Sequence, residues 1–66
     1  MMPIQDENFV VKDCLISMGM NLIANQIKHD TSFSALQGFV DIARSEATKK
    51  KHHEVLERLQ FAGLIY

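Results

Sequence analysis

Cys14 is the only cysteine, so no disulfide can close within the chain. A lone thiol fits a reducing compartment. Tryptophan is missing, proline occurs once, at Pro3, and glycine only at Gly19, Gly38 and Gly63. With so little punctuation, nothing divides the chain into two domains, and no repeat or low-complexity tract is present. No apolar run approaches the roughly 18 residues of a membrane span. The opening Met1-Met2-Pro3-Ile4-Gln5-Asp6-Glu7-Asn8 lacks the cationic and apolar regions of a signal peptide. The expectation is a cytoplasmic protein, used as translated, with no membrane partner. A charge excess is missing too: seven Lys and Arg face eight Asp and Glu, for a net charge of −1. Sequence-independent nucleic-acid binding calls for a basic domain, so this balance argues against it and leaves only a local patch to consider.

Catalytic signatures are equally scarce. The chain has no nucleophile elbow, phosphate-cradling glycine loop or dinucleotide fingerprint. Cys14, His29 and Asp30 can be arranged as a triad on paper, as in any chain of this composition. His52 and His53 diverge by about 100° on a helix, which prevents them from sharing one ion. His53 and Glu57 do share a face, but a structural zinc site takes four ligands at short spacings, and Cys14 and His29 stand far from them. The sequence therefore implies no enzyme, no metal, no cofactor and no small-molecule substrate.

Apolar residues, by contrast, make up 47% of the 66 positions. A chain of this size buries only about 60% of the surface exposed by its unfolded form, and small scaffolds usually need a disulfide, a metal or a partner chain. With no disulfide, a partner chain is expected to cover the remainder. Alternation of the strand kind is absent. The fold expected is all-α, a single small three-helix domain over 1–66 with helices at approximately 8–28, 33–47 and 49–62. Self-association into a homodimer is expected to complete it.

Pro3 precedes the first helix, and Asp6, Glu7 and Asn8 offer cap candidates and negative charge at its positive end. At about 100° per residue, Asp13, Ser17, Asn21, Asn25 and Lys28 fall on one polar face. Phe9, Val11, Leu15, Ile16, Met18, Met20, Leu22, Ile23 and Ile27 occupy the other half, interrupted by Lys12 and Gln26. That apolar arc is about 200° wide, against a little over about 100° for a surface helix, so the helix is expected to meet protein on two sides. Cys14 reads as a small packing residue, and Met18 and Met20 as packing whose flexible thioethers also suit an adaptable partner surface.

His29-Asp30-Thr31-Ser32 breaks the pattern, and Asp30, Thr31 or Ser32 can cap the next helix. That helix carries Phe33, Leu36, Phe39, Val40, Ala43 and Ala47 on one face. Val55, Leu59 and Ala62 lie about 110° away from this face on a continuous wheel. A break near Thr48 to Lys51 restores both faces to one core, with Thr48 as a candidate cap. Lysines there suit the negative end of a helix. Gly63 reads as a C-cap and leaves Leu64-Ile65-Tyr66 as an apolar tail.

Thr48-Lys49-Lys50-Lys51-His52-His53 is the strongest local charge asymmetry. It can be a solvated helix end, a phosphate contact at a helix-helix turn or a patch that steers an acidic protein. Phe39-Val40-Asp41-Ile42-Ala43-Arg44 followed by Val55-Leu56-Glu57-Arg58-Leu59-Gln60-Phe61-Ala62-Gly63-Leu64-Ile65-Tyr66 resembles a winged helix-turn-helix, whose recognition helix often ends in a leucine-rich stretch and Ala-Gly-Leu-Ile. The resemblance implies that Lys49, Lys50, Lys51, His52 and Arg58 face DNA. The turn lacks the family's usual glycine, and Glu54 and Glu57 put negative charge on the recognition helix.

The function expected is that of a small non-enzymatic regulatory or adaptor protein, inhibitor-like and of bacterial or phage type, that acts by occluding another protein. Met18, Leu22, Leu64, Ile65 and Tyr66 form the expected docking patch, oriented by Lys49, Lys50, Lys51, His52 and His53. The alternative is a helix-turn-helix-like DNA-binding transcriptional regulator. Nucleic acid is thus the second-ranked partner class, behind protein.

Overall fold

A single glycine divides what periodicity reads as one long helix. The computed structural model describes residues 6–66, folded into α1 (Glu7–Ser17), α2 (Asn21–Ala24), α3 (Phe33–Lys50) and α4 (His53–Phe61). No strand occurs among the described residues. The architecture of the described residues is all-helical, with four helices in place of the three expected, because the predicted helix over 8–28 stops at Ser17. Gly19 takes a left-handed φ of 79°. The Gly19 N–H donates to the Ile16 carbonyl at 2.9 Å and the Met20 N–H to the Leu15 carbonyl at 2.9 Å. These two bonds make a Schellman motif, which satisfies the last carbonyls of α1 and reverses the chain.

The over-wide apolar arc is resolved by that reversal. Val11, Cys14 and Leu15 of α1 and Met18 at its C-cap are buried, and Ala24 and Ile27 return into the same core from the second segment. Leu36, Val40, Ala43 and Ala47 of α3 and Val55 and Leu59 of α4 complete it. The spacings 11, 14, 15, 18 and 36, 40, 43, 47 are the stripe of an amphipathic helix. Phe33 departs from the expected face: it opens α3 and is exposed, while Phe39 is half-buried at the edge of the core. The radius of gyration is 11.1 Å, against about 11 Å for a folded chain of this length and about 25 Å for an unfolded one.

Helix starts are capped by side chains where the sequence supplies them. Asp6 is the N-cap of α1, its Oδ1 accepting from the Asn8 and Phe9 N–H groups at 3.1 and 3.3 Å. Pro3, expected ahead of this helix, lies outside the described residues. Ser32 caps α3, its Oγ accepting from the Ala35 N–H at 3.2 Å. Asn8 does not cap; its side chain reaches across to the segment before α3. There its Nδ2 donates to the carbonyls of Lys28, His29 and Thr31 at 3.0, 3.2 and 2.9 Å. Thr31 Oγ1 in turn accepts from the Lys28 N–H at 2.8 Å. The loop is thus held from α1 and from within.

The corner between α3 and α4 repeats the Schellman pattern. The His52 N–H donates to Ala47 at 2.8 Å and the Lys51 N–H to Thr48 at 3.2 Å, with Lys51 at φ 56°. α3 therefore runs to Lys50, beyond the expected end at Ala47. His52, not Thr48, precedes α4, and it makes no side-chain cap bond. Ala47 and Val55 both face the core, so the offset between the two apolar faces is taken up at Lys51. A third such end follows α4, where the Leu64 N–H donates to Leu59 at 3.0 Å and the Gly63 N–H to Gln60 at 2.9 Å. Leu64 and Ile65 then pack on the core.

Two glycines give opposite expectations for the same substitution. A Cβ at Gly19 meets nothing within 4 Å, but φ is 79°. Gly19→Ala is therefore expected to destabilise by about 1–2 kcal/mol through backbone strain alone. Gly38 lies inside α3, also with nothing within 4 Å of a built Cβ. There Gly38→Ala is expected to stabilise by about 0.5–1 kcal/mol. Thermal melts of the two variants should shift in opposite directions, and shifts of the same sign would contradict the Gly19 geometry.

Candidate functional site

The expected docking residues separate into structural and available groups. Met18 is only 8% exposed and belongs to the core, because the turn at Gly19 folds it inward; it is not part of a free surface. Leu64 and Ile65 are half-buried against the core, held there by the bonds that close α4. Leu22 on α2 is 83% exposed. Tyr66 is exposed, and its carbonyl accepts from Gln60 Nε2 at 3.0 Å.

Apolar side chains outside the expected docking patch are exposed as well. Phe61 is 86% exposed and shares the outer face of α4 with Glu54 and Glu57, at successive steps of three and four residues. The wheel carries that information: Val55 and Leu59 take the core side, so Phe61 must face away from it. Phe9 and Ile16, seven apart on α1, are also exposed. Phe9 borders an open cleft of about 310 Å³ with Lys12, Ile27, Lys28 and His29. Lys12 Nζ lies 3.4 Å from the Ile27 carbonyl there. The volume is at the lower end of ligand pockets.

The cationic residues gather at the α3–α4 corner. Lys49, Lys50, Lys51 and His53 are exposed and His52 is half-buried. Lys50 Nζ is 2.9 Å from Glu46 Oε2, and Lys49 Nζ is 3.8 Å from Glu46 Oε1. The hydrogen bond from Lys50, with the charges of Lys50 and Lys49, holds the Glu46 carboxyl below its ordinary range. Part of the patch is therefore neutralised within α3.

Arg58 sits elsewhere. Its Nη1 donates to Asp13 Oδ2 at 2.6 Å, tying α4 to α1 and raising the guanidinium further above its ordinary value. Both side chains are well exposed, at 41% and 46%, so the pair contributes at most about 1 kcal/mol. Arg58, given a DNA-facing role by the winged helix-turn-helix resemblance, turns its guanidinium toward α1 in this bond. The outer face of α4 presents His53, Glu54, Glu57 and Phe61, which is acidic where phosphates would approach.

Burial pushes the Cys14 thiol up, opposed in part by the charge of Arg58. A protonated, enclosed thiol is a packing residue, not a nucleophile. Among the described residues no group of three His, Cys, Asp or Glu side chains is placed to hold a metal, and no helix is long and apolar enough to cross a membrane. No protein-family model, curated protein or solved structure matches the chain.

Proposed function

We propose that this chain is a small non-enzymatic regulatory or adaptor protein, inhibitor-like in action, that works in the cytoplasm by docking on another protein and also self-associates. The observation that carries the reading is the exposure of Leu22 and Phe61, at 83% and 86%, in a chain with little core to spare. Burying such a side chain fully is worth about 1.5–3 kcal/mol. Two of them covered by a partner would supply a sizeable share of a binding free energy.

Its test is a paired experiment with Leu22→Ser combined with Phe61→Ser. Both side chains lie outside the core, so the variant should fold and melt close to the parent. Affinity capture from the native host should recover a chain with the parent that is lost with the variant. Sedimentation across a concentration range should show the parent, not the variant, gaining mass. Equal recovery and an unchanging monomer mass in both would sink the reading. The rival is a DNA-binding regulator, favoured by the lysine-rich corner between α3 and α4; steeply salt-dependent duplex binding would support it instead.

A further inference from the structure

The fold ends three helices with one bond pattern, and two of them place glycine at the left-handed position, Gly19 and Gly63. The third places Lys51 there, at φ 56°. A Cβ is sterically disfavoured in that conformation, and glycine is its usual occupant. The Lys51 side chain is exposed, and among the described residues it joins no ion pair, whereas Lys49 and Lys50 both lean on Glu46. Nothing in the packing requires a lysine at this position, and glycine would close the corner with less strain. Residues kept in a disfavoured conformation concentrate where a protein binds or reacts.

We infer that Lys51 is the leading cation of a docking surface for an acidic protein segment, formed with Lys49, Lys50 and His53 at the α3–α4 corner. The inference rests on the protein-binding reading above and gives the partner its chemistry: clustered Asp or Glu side chains. Charge complementarity calls for an anionic partner, and the small extent of the patch favours a short peptide over a duplex. DNA presents a phosphate about every 1.7 Å along a broad surface, which would press against Glu54 and Glu57 on the adjoining face. An acidic segment can touch the corner alone.

The test uses the whole chain with two labelled probes, an oligoglutamate peptide and a duplex DNA, at low and raised salt. Binding of the parent to oligoglutamate should be salt-sensitive. Lys51→Gly and Lys51→Asn should each weaken it about two- to fivefold, the range open to one exposed charge pair. Lys51→Gly should at the same time raise Tm by about 4–8 °C, because the strain is removed. Lys28→Gln makes the same change in net charge away from the corner and should leave binding unaltered. Unchanged oligoglutamate binding in Lys51→Gly, an equal loss in Lys28→Gln, or no rise in Tm would each overturn the inference. Tighter, Lys51-dependent binding to the duplex would overturn it in favour of a nucleic-acid surface. Oligoglutamate has no apolar side chain, so failure here leaves the Leu22 and Phe61 experiment to decide the broader reading.

Discussion

Leu15→Ala is expected to lose most of the stability of this fold. Leu15 is fully buried at the point where α1 ends, and its carbonyl also accepts the Met20 N–H that closes the turn. Truncating a buried leucine removes transfer free energy and leaves a cavity, together about 2.7–5 kcal/mol. A chain of this length has roughly 3–10 kcal/mol in total. The variant should therefore unfold at a much lower urea concentration or show no cooperative transition. Leu15→Met nearly conserves volume and should lose less than about 1.5 kcal/mol. Cys14 gives a second readout, since its thiol is enclosed in the native state and labelling should accelerate with the population of open chains. A Leu15→Ala melt within about 1 kcal/mol of the parent would contradict the packing described.

Asn8→Asp should produce the second largest loss. The substitution keeps the shape of the side chain but replaces the Nδ2 donor with a carboxylate oxygen. That oxygen would face the carbonyls of Lys28, His29 and Thr31, so donor bonds are lost and like partial charges oppose one another. Loss of the bonds alone, as in Asn8→Ala, should cost about 1–2 kcal/mol, and the carboxylate about 1 kcal/mol more. The sign of the pH dependence follows. The repulsion from three carbonyls outweighs the about 0.3–1 kcal/mol that a carboxylate gains in the first turn of a helix, so the introduced carboxyl has a folded pKa above the unfolded value of about 3.9. The variant should therefore recover stability relative to the parent as pH falls toward and below about 4. Amide exchange over residues 28–32 should quicken selectively. A Tm equal to that of the parent at neutral pH, with no change in loop exchange, would rule out the clamp.

The fold class was legible because α3 and α4 follow the simplest patterning rule. Leu36, Val40, Ala43 and Ala47 fall on one stripe, and the angular offset to Val55 signals the corner that the structure places at Lys51. The division of the first segment was harder to see. The apolar arc continues through Met18, Met20, Leu22 and Ile23, and that continuity masked the one residue able to stop it, Gly19. An arc of about 200° was itself the warning, since a chain this short folds such an arc back on itself before it can recruit a neighbour. That is why Met18 is core and Leu22 is not. Asn8 is one of three cap candidates with Asp6 and Glu7, because all three are polar and helix-starting; its long-range bonds depend on where the loop returns, which no local pattern encodes. Phe61 is legible as an outward residue from its position opposite Val55 and Leu59 on the wheel.

The three matching helix ends have a kinetic consequence. Each reversal is specified by residues within one turn of it, so the helical segments can form and turn back before distant parts of the chain meet. Topologies dominated by such short-range contacts fold in microseconds to milliseconds. The bond from Arg58 to Asp13 spans 45 residues of sequence and carries the largest loop-closure entropy among the side-chain bonds of the described residues. It joins α1 to α4 only once the turns at Gly19 and Lys51 and the loop before α3 have formed, which makes it a contact of the final docking step and a brake on unfolding more than a guide to folding.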